Sequence, residues 1–229
     1  MLLCVGALPA CTTVNFTGSD TLSELNDAQR QLRAHAAELS STVWNSVSKP
    51  GFFSSVAGLL MNGAGDEAEM PGLIADSQQA RRSTAVAYIE TKARQFPTAD
   101  DQLDAVVADV RLKALQARAV VEASQSLVNR YKTERYAAAP RNARTTTVAS
   151  ADIVAGLASV QSDFQVIAGS IESAKEQRAT FETVRVAYLE QHPDADITVL
   201  TVELRSFDHQ IEQMMALSDE LSALESPSA

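Results

Sequence analysis

Cysteine, histidine, aromatic and basic residues are all scarce in this chain of 229 residues. Its two cysteines, Cys4 and Cys11, both lie in the opening stretch. The rest of the chain therefore has no thiol for a disulfide framework, a zinc cluster or a catalytic nucleophile. The three histidines, His35, His192 and His209, are scattered, and none sits in the Glu-x-x-His pair that carboxylate-bridged di-iron bundles require. Asp208-His209 with Glu212 and Met214 reads as a polar helix face beside a core methionine, not as a copper or zinc half-site. Gly-rich phosphate loops, His-Glu-x-x-His, Cys-x-x-Cys-His and Gly-x-Ser-x-Gly are all missing. No catalytic residue, metal ligand or cofactor is assigned, and an enzyme is not expected. Lys and Arg number 19 against 29 Asp and Glu, a net charge of −10, with no basic run. Phosphate neutralisation needs clustered cations, so nucleic acid is excluded as a partner, as is electrostatic docking to anionic lipid.

Aromatics make up only 5%, whereas apolar residues as a group reach 45% and alanine is abundant. Small aliphatic side chains suit closely packed helices better than a sheet sandwich. The spacing agrees. Thr21-Leu22-Ser23-Glu24 has the form of a capping box. It is followed by Leu22, Leu25, Leu32, Ala36, Leu39 and Val43 at three- and four-residue intervals, with Gln29 in the remaining slot. This first helix is expected to run to about Val47. A second is expected from about Leu73 to Gln95, where Phe96-Pro97 stops it.

Thr98, with Asp101 three residues on, caps a third helix that reaches about Ala138. Leu103, Val107, Val110, Ala114, Ala117, Val121, Ser124, Val128 and Tyr131 hold the same rhythm over four heptads. A fourth helix carries Ile153, Leu157, Val160, Phe164, Ile167, Ile171, Ala174, Arg178, Phe181 and Tyr188 and ends at His192-Pro193. Asp194 is expected to cap the fifth, with Ile197, Leu200, Leu204, Phe207, Ile211, Met214, Leu221 and Leu224 on one face. Such stripes keep one edge of each helix against a neighbour. The expected fold is all-α: an elongated antiparallel bundle of about five helices over residues 21–225, with coiled-coil-like seams and a disordered tail at 226–229. A dimer using one helical face is compatible with this pattern. Val86-Ala87-Tyr88-Ile89-Glu90 is echoed by Val186-Ala187-Tyr188-Leu189-Glu190, each ahead of a prolyl break. Two related hairpins or chance vocabulary explain the echo equally well.

Residues 50–72 break the rhythm with five of the nine glycines and two of the seven prolines. They also carry Phe52, Phe53, Leu59, Leu60 and Met61, and Trp44 lies one turn before them. Exposed, this insertion would need a partner or a bilayer surface; folded back, it would plug an open end of the bundle. These six residues are the candidate partner or ligand contacts.

The first residues answer a separate question. Residues 2–10 are apolar but too short for the roughly 20 residues of a membrane span. Leu8-Pro9-Ala10-Cys11 resembles the lipobox of bacterial lipoproteins. The resemblance implies that residues 1–10 are a signal peptide and that Cys11 becomes the acylated first residue of the mature protein. It further implies that residues 11–20 tether the domain to a membrane. Two or three acyl chains hold stably where one does not. Thr12 stands where an inner-membrane retention aspartate would, so the resemblance points to the periplasmic face of the outer membrane. The expected function is a lipid-anchored structural or protein-interaction module of the bacterial cell envelope. The alternative is a bundle that binds a small apolar ligand or envelope lipid near Phe52, Phe53 and Met61.

Overall fold

Three- and four-residue spacing of aliphatic side chains winds into helices, and helices make up this fold. The computed structural model describes residues 18–41, 70–138 and 149–225. Among these residues there are five helices and no strand: α1 (Gly18–Ser40), α2 (Met70–Gln95), α3 (Ala99–Ala138), α4 (Ala149–Gln191) and α5 (Thr198–Glu225). The 40 residues of α3 and the 43 of α4 each span roughly 60 Å at 1.5 Å per residue, so the bundle is long.

Some ends differ from the sequence expectation. α1 begins at Gly18, one turn ahead of Thr21, because Ser19 and Asp20 carry the same N-terminal preference and nothing between them breaks a helix. It ends at Ser40, not near Val47. Ser40 and Ser41 are weak helix formers, and the Ser41 hydroxyl donates back to the Glu38 carbonyl at 2.6 Å. α2 takes in Met70, Pro71 and Gly72, the last residues of the Gly/Pro-rich stretch. Proline in the first turn costs no helical hydrogen bond. The Thr98 cap forms as expected: its Oγ1 accepts the Asp101 N–H at 3.1 Å and donates to the Asp101 carboxylate at 2.7 Å. The cap of α5 is Asp196, not Asp194; its Oδ1 accepts the Thr198 N–H at 2.9 Å. Asp194 lies in the turn that follows His192-Pro193, too early to reach that donor.

The packing has four columns. α3 and α4 touch little and lie diagonally; α5 fills one column between them, and α1 and α2 share the other. Leu39 of α1 meets Lys113 and Gln177 at the point where this column changes over, and Arg81 of α2 meets Glu176 there. The expected antiparallel bundle is present: Tyr131 meets Asp163 and Tyr188 meets Ala99, so α3 and α4 run in opposite directions, and two pairs of helices within it run together. Arg111 pairs with Glu203 and Lys132 with Glu220, so α3 and α5 run parallel. Gln29 reaches Asp163 and Leu39 reaches Gln177, so α1 runs parallel to α4. Each parallel pair opposes the other.

The predicted seams form the core. Leu25, Leu32, Ala36 and Leu39 of α1 are buried, as are Val107, Val110, Ala114, Ala117, Val128 and Tyr131 of α3. On α4, Val160, Ile167, Ile171, Ala174, Phe181 and Tyr188 are buried. α5 turns in Leu200, Leu204, Phe207, Ile211, Met214, Leu217 and Leu221. Full burial of a large apolar side chain is worth about 1.5–3 kcal/mol. Val106, Val120 and Leu127 of α3 are buried beyond the heptad stripe, because that helix has neighbours on two sides and needs a wider apolar face. The echoed tyrosines are both buried, yet they are not equivalent. Tyr88 donates to Asp109 of its own hairpin partner, α3, whereas Tyr188 crosses the bundle to the Ala99 carbonyl at 2.6 Å.

Candidate functional site

A polar group taken out of water must find a partner inside the fold. Polar side chains within these apolar seams are therefore where chemistry would sit, and three clusters of them occur.

The first joins α1, α3 and α4. Asp163 is fully buried. Its Oδ2 accepts from the Gln29 amide at 2.6 Å and the Tyr131 hydroxyl at 2.7 Å, and its Oδ1 from Arg33 at 3.0 Å. Ser159 Oγ completes the group, 2.5 Å from the Gln29 amide. Burial pushes the Tyr131 hydroxyl well above the ordinary phenol range, and the Asp163 carboxylate beside it adds to the shift. Tyr131 is thus a fixed donor, not a base.

The second cluster caps α1. Lys113, 1% exposed, points its ammonium at the end of that helix. Nζ donates to the Leu39 carbonyl at 3.1 Å, to the Ser41 carbonyl, and to Gln116 Oε1 at 2.8 Å. Gln177 Nε2 donates to the same Leu39 carbonyl at 2.7 Å. The last carbonyls of a helix lack intrahelical partners and carry partial negative charge; a cation and an amide satisfy them here. Burial lowers Lys113 to about 8, against the opposing pull of Asp109.

The third cluster ties α2 to α3. Asp109 accepts from Tyr88 and pairs with Lys92 at 2.7 Å. Burial, and then the Asp109 charge, drives the Tyr88 hydroxyl far above its usual range.

All three clusters spend their hydrogen bonds on the fold itself. Two surface clefts are described. One of about 400 Å³ is lined by Gln79, Arg82, Ser83, Val86, Ala87 and Glu90 of α2, the other of about 370 Å³ by Asn26, Gln29, Arg30 and Arg33 of α1. Among the described residues each is lined by one helix, unlike the convergent walls of a ligand pocket. Among the described residues no group of three His, Cys, Asp or Glu could hold a metal ion. Asp208 pairs with Arg178 at 2.8 Å, and Met214 is buried in the core. No family model, curated protein or solved structure matches the chain.

The residues singled out from sequence, Cys11, Trp44, Phe52, Phe53, Leu59, Leu60 and Met61, lie outside the described residues. The flanks of the 50–72 stretch are informative all the same. The chain leaves α1 at Ser41, beside Lys113, well inside the 40-residue α3. No described helix is long and apolar enough to cross a membrane.

Sequence reasoning placed Gln29 in a seam but missed Asp163, Lys113 and Gln177. One signal was available for Asp163. Gln29 and Tyr131 are polar groups in apolar stripes and must share an inward-facing partner.

Proposed function

We propose that this chain is a lipid-anchored protein of the bacterial cell envelope, held at the periplasmic face of the outer membrane, where it acts as a structural or protein-interaction module. The observation that carries the reading is Leu8-Pro9-Ala10-Cys11 followed by a helical domain. An acylated Cys11 would sit seven positions before the first residue of α1. The bundle would therefore stand close to the bilayer and present its long faces to neighbours. The polar ties from Gln29, Arg33 and the α1 end to α3 and α4 support it further. They make the helix nearest the anchor an integral part of the bundle rather than a loose leash.

The test is expression of the full chain in a Gram-negative host, fractionation, and mass analysis of the N-terminal peptide. A peptide beginning at Cys11 with the mass of acyl chains, together with release of the Cys11→Ser variant from membranes, is the expected result. An unmodified peptide still carrying residues 1–10, with the protein in the soluble fraction, ends the reading.

A further inference from the structure

Four of the large apolar side chains left in water gather at one place. Leu112 and Leu115 of α3 are 46% and 56% exposed, and Val199 and Val202 of α5 are 54% and 55% exposed. Arg111 and Glu203 bridge the two helices at 2.6 Å. Leu112 and Leu115 lie within about one turn of Arg111, as Val199 and Val202 do of Glu203. The four therefore ring a single ion pair on the outer side of the α3/α5 seam.

The stripe continues along α3. Ala105, Ala108, Leu112, Leu115 and Ala119 recur at three and four residues. Ala108 is exposed, and Ala105 and Ala119 are half-buried. α3 thus carries a second heptad stripe behind the one that builds the core. An apolar stripe on each side is the pattern of a helix with neighbours on each side. Within the described fold α1, α2 and α5 occupy the inner side only.

Charge selects the occupant. Two ion pairs frame the patch, Arg111–Glu203 and Arg118–Glu122, and Arg205 is exposed beside them. The chain as a whole carries −10, yet this face is close to neutral. Two copies repel elsewhere but can approach here. A face that offers both signs complements itself under a two-fold operation, whereas a strongly basic or acidic partner finds no matching field. We propose that the outer α3/α5 face is a two-fold interface with a second copy of this chain. With the two-fold axis along the helices, α3 of one copy lies over α5 of the other, and Arg111 comes opposite Glu203 of the partner subunit. The four apolar side chains pack around the Arg111–Glu203 pairs at the centre, and Arg118, Glu122 and Arg205 form the rim. This interface does not depend on the membrane anchor.

The experiment is sedimentation velocity on the full chain carrying Cys11→Ser, from about 1 to 200 µM, the range in which a modest interface fills. A concentration-dependent monomer–dimer equilibrium is expected. Leu115→Glu with Val202→Glu shifts it to monomer across the range while the helical circular dichroism and its melting curve stay unchanged. Arg111→Glu alone, at an exposed position, weakens the dimer at least tenfold, and adding Glu203→Arg restores it. A chain that stays monomeric throughout, or a dimer untouched by Leu115→Glu/Val202→Glu and by Arg111→Glu, overturns the proposal. So does a monomer that floats with phosphatidylglycerol vesicles through these same residues, which would assign the face to a bilayer.

Discussion

α1 and α5 fill opposite columns between the same two long helices, and they are held by different means. α5 contributes seven large apolar side chains to the core, while its ion pairs, Arg111–Glu203, Lys132–Glu220 and Arg178–Asp208, stay at the surface. α1 contributes three buried leucines and two small alanines, Ala28 and Ala36. Its remaining attachments are polar and end on buried groups: Gln29 and the exposed Arg33 on Asp163, and its last carbonyls on Lys113 and Gln177. Apolar burial supplies affinity without direction. Hydrogen bonds contribute little net stability but cost a great deal when half of a pair is left alone. The contrast teaches that α5 is the adhesive helix and α1 the registered one. A one-turn slip of α5 would trade one leucine for another, whereas the same slip of α1 would strand a buried carboxylate and a buried ammonium.

The sharpest way to break this contrast is to cut the adhesive side. Phe207 is fully buried, and Phe207→Ala should lower unfolding free energy by about 3–5 kcal/mol in urea denaturation. A loss below about 1 kcal/mol would mean that α5 is not the chief source of cohesion.

The next effect concerns the registered side. Asp163→Leu leaves Gln29, Tyr131 and Arg33 without their acceptor and should cost about 3 kcal/mol. Gln29→Leu, Tyr131→Phe and Asp163→Leu together should recover most of that loss, because the partners that remain, Arg33 and Ser159, are exposed and half-buried and reach water. If the triple variant is no more stable than the single one, the cluster is a source of stability and the contrast fails.

The smallest effect is a matter of pH. Lys113 is lowered to about 8 in the fold from an ordinary 10.5, so between those values the unfolded chain binds more protons. Stability therefore rises with pH across that window, by roughly 2 kcal/mol between pH 8 and 10. Above pH 10 the trend reverses, because Tyr88 and Tyr131 keep their protons in the fold and lose them in the unfolded chain. Lys113→Met should flatten the rise and leave the alkaline fall in place. Thermal melts at pH 7.5, 9, 10 and 11 measure both limbs, and an unchanged rise in the variant would assign it to another group.

Much of the fold was legible because heptad spacing states a packing requirement directly. Val107, Val110, Ala114 and Ala117 fell where their spacing put them. Helix direction was not legible, since a stripe reads the same for a parallel neighbour as for an antiparallel one, and α3 with α5 proved parallel. The end of α1 was hidden for a different reason. The visible breaker, Pro50, lies beyond it, while Lys113, the residue that grips that end, is 72 positions away from Ser41 in the chain. Asp163 was hidden likewise, because its partners come from two other helices and no local window contains them.

The hold on α1 by Lys113 and Gln177 acts on main-chain oxygens. It is therefore indifferent to which side chains stand at Leu39 and Ser41, provided the helix terminates in place. One added or deleted residue within α1 would shift those oxygens by about 1.5 Å and swing them through about 100°, out of the ammonium's reach. This grip works as a ruler: it measures how long α1 is, while the leucine at position 39 is set separately by burial in the core.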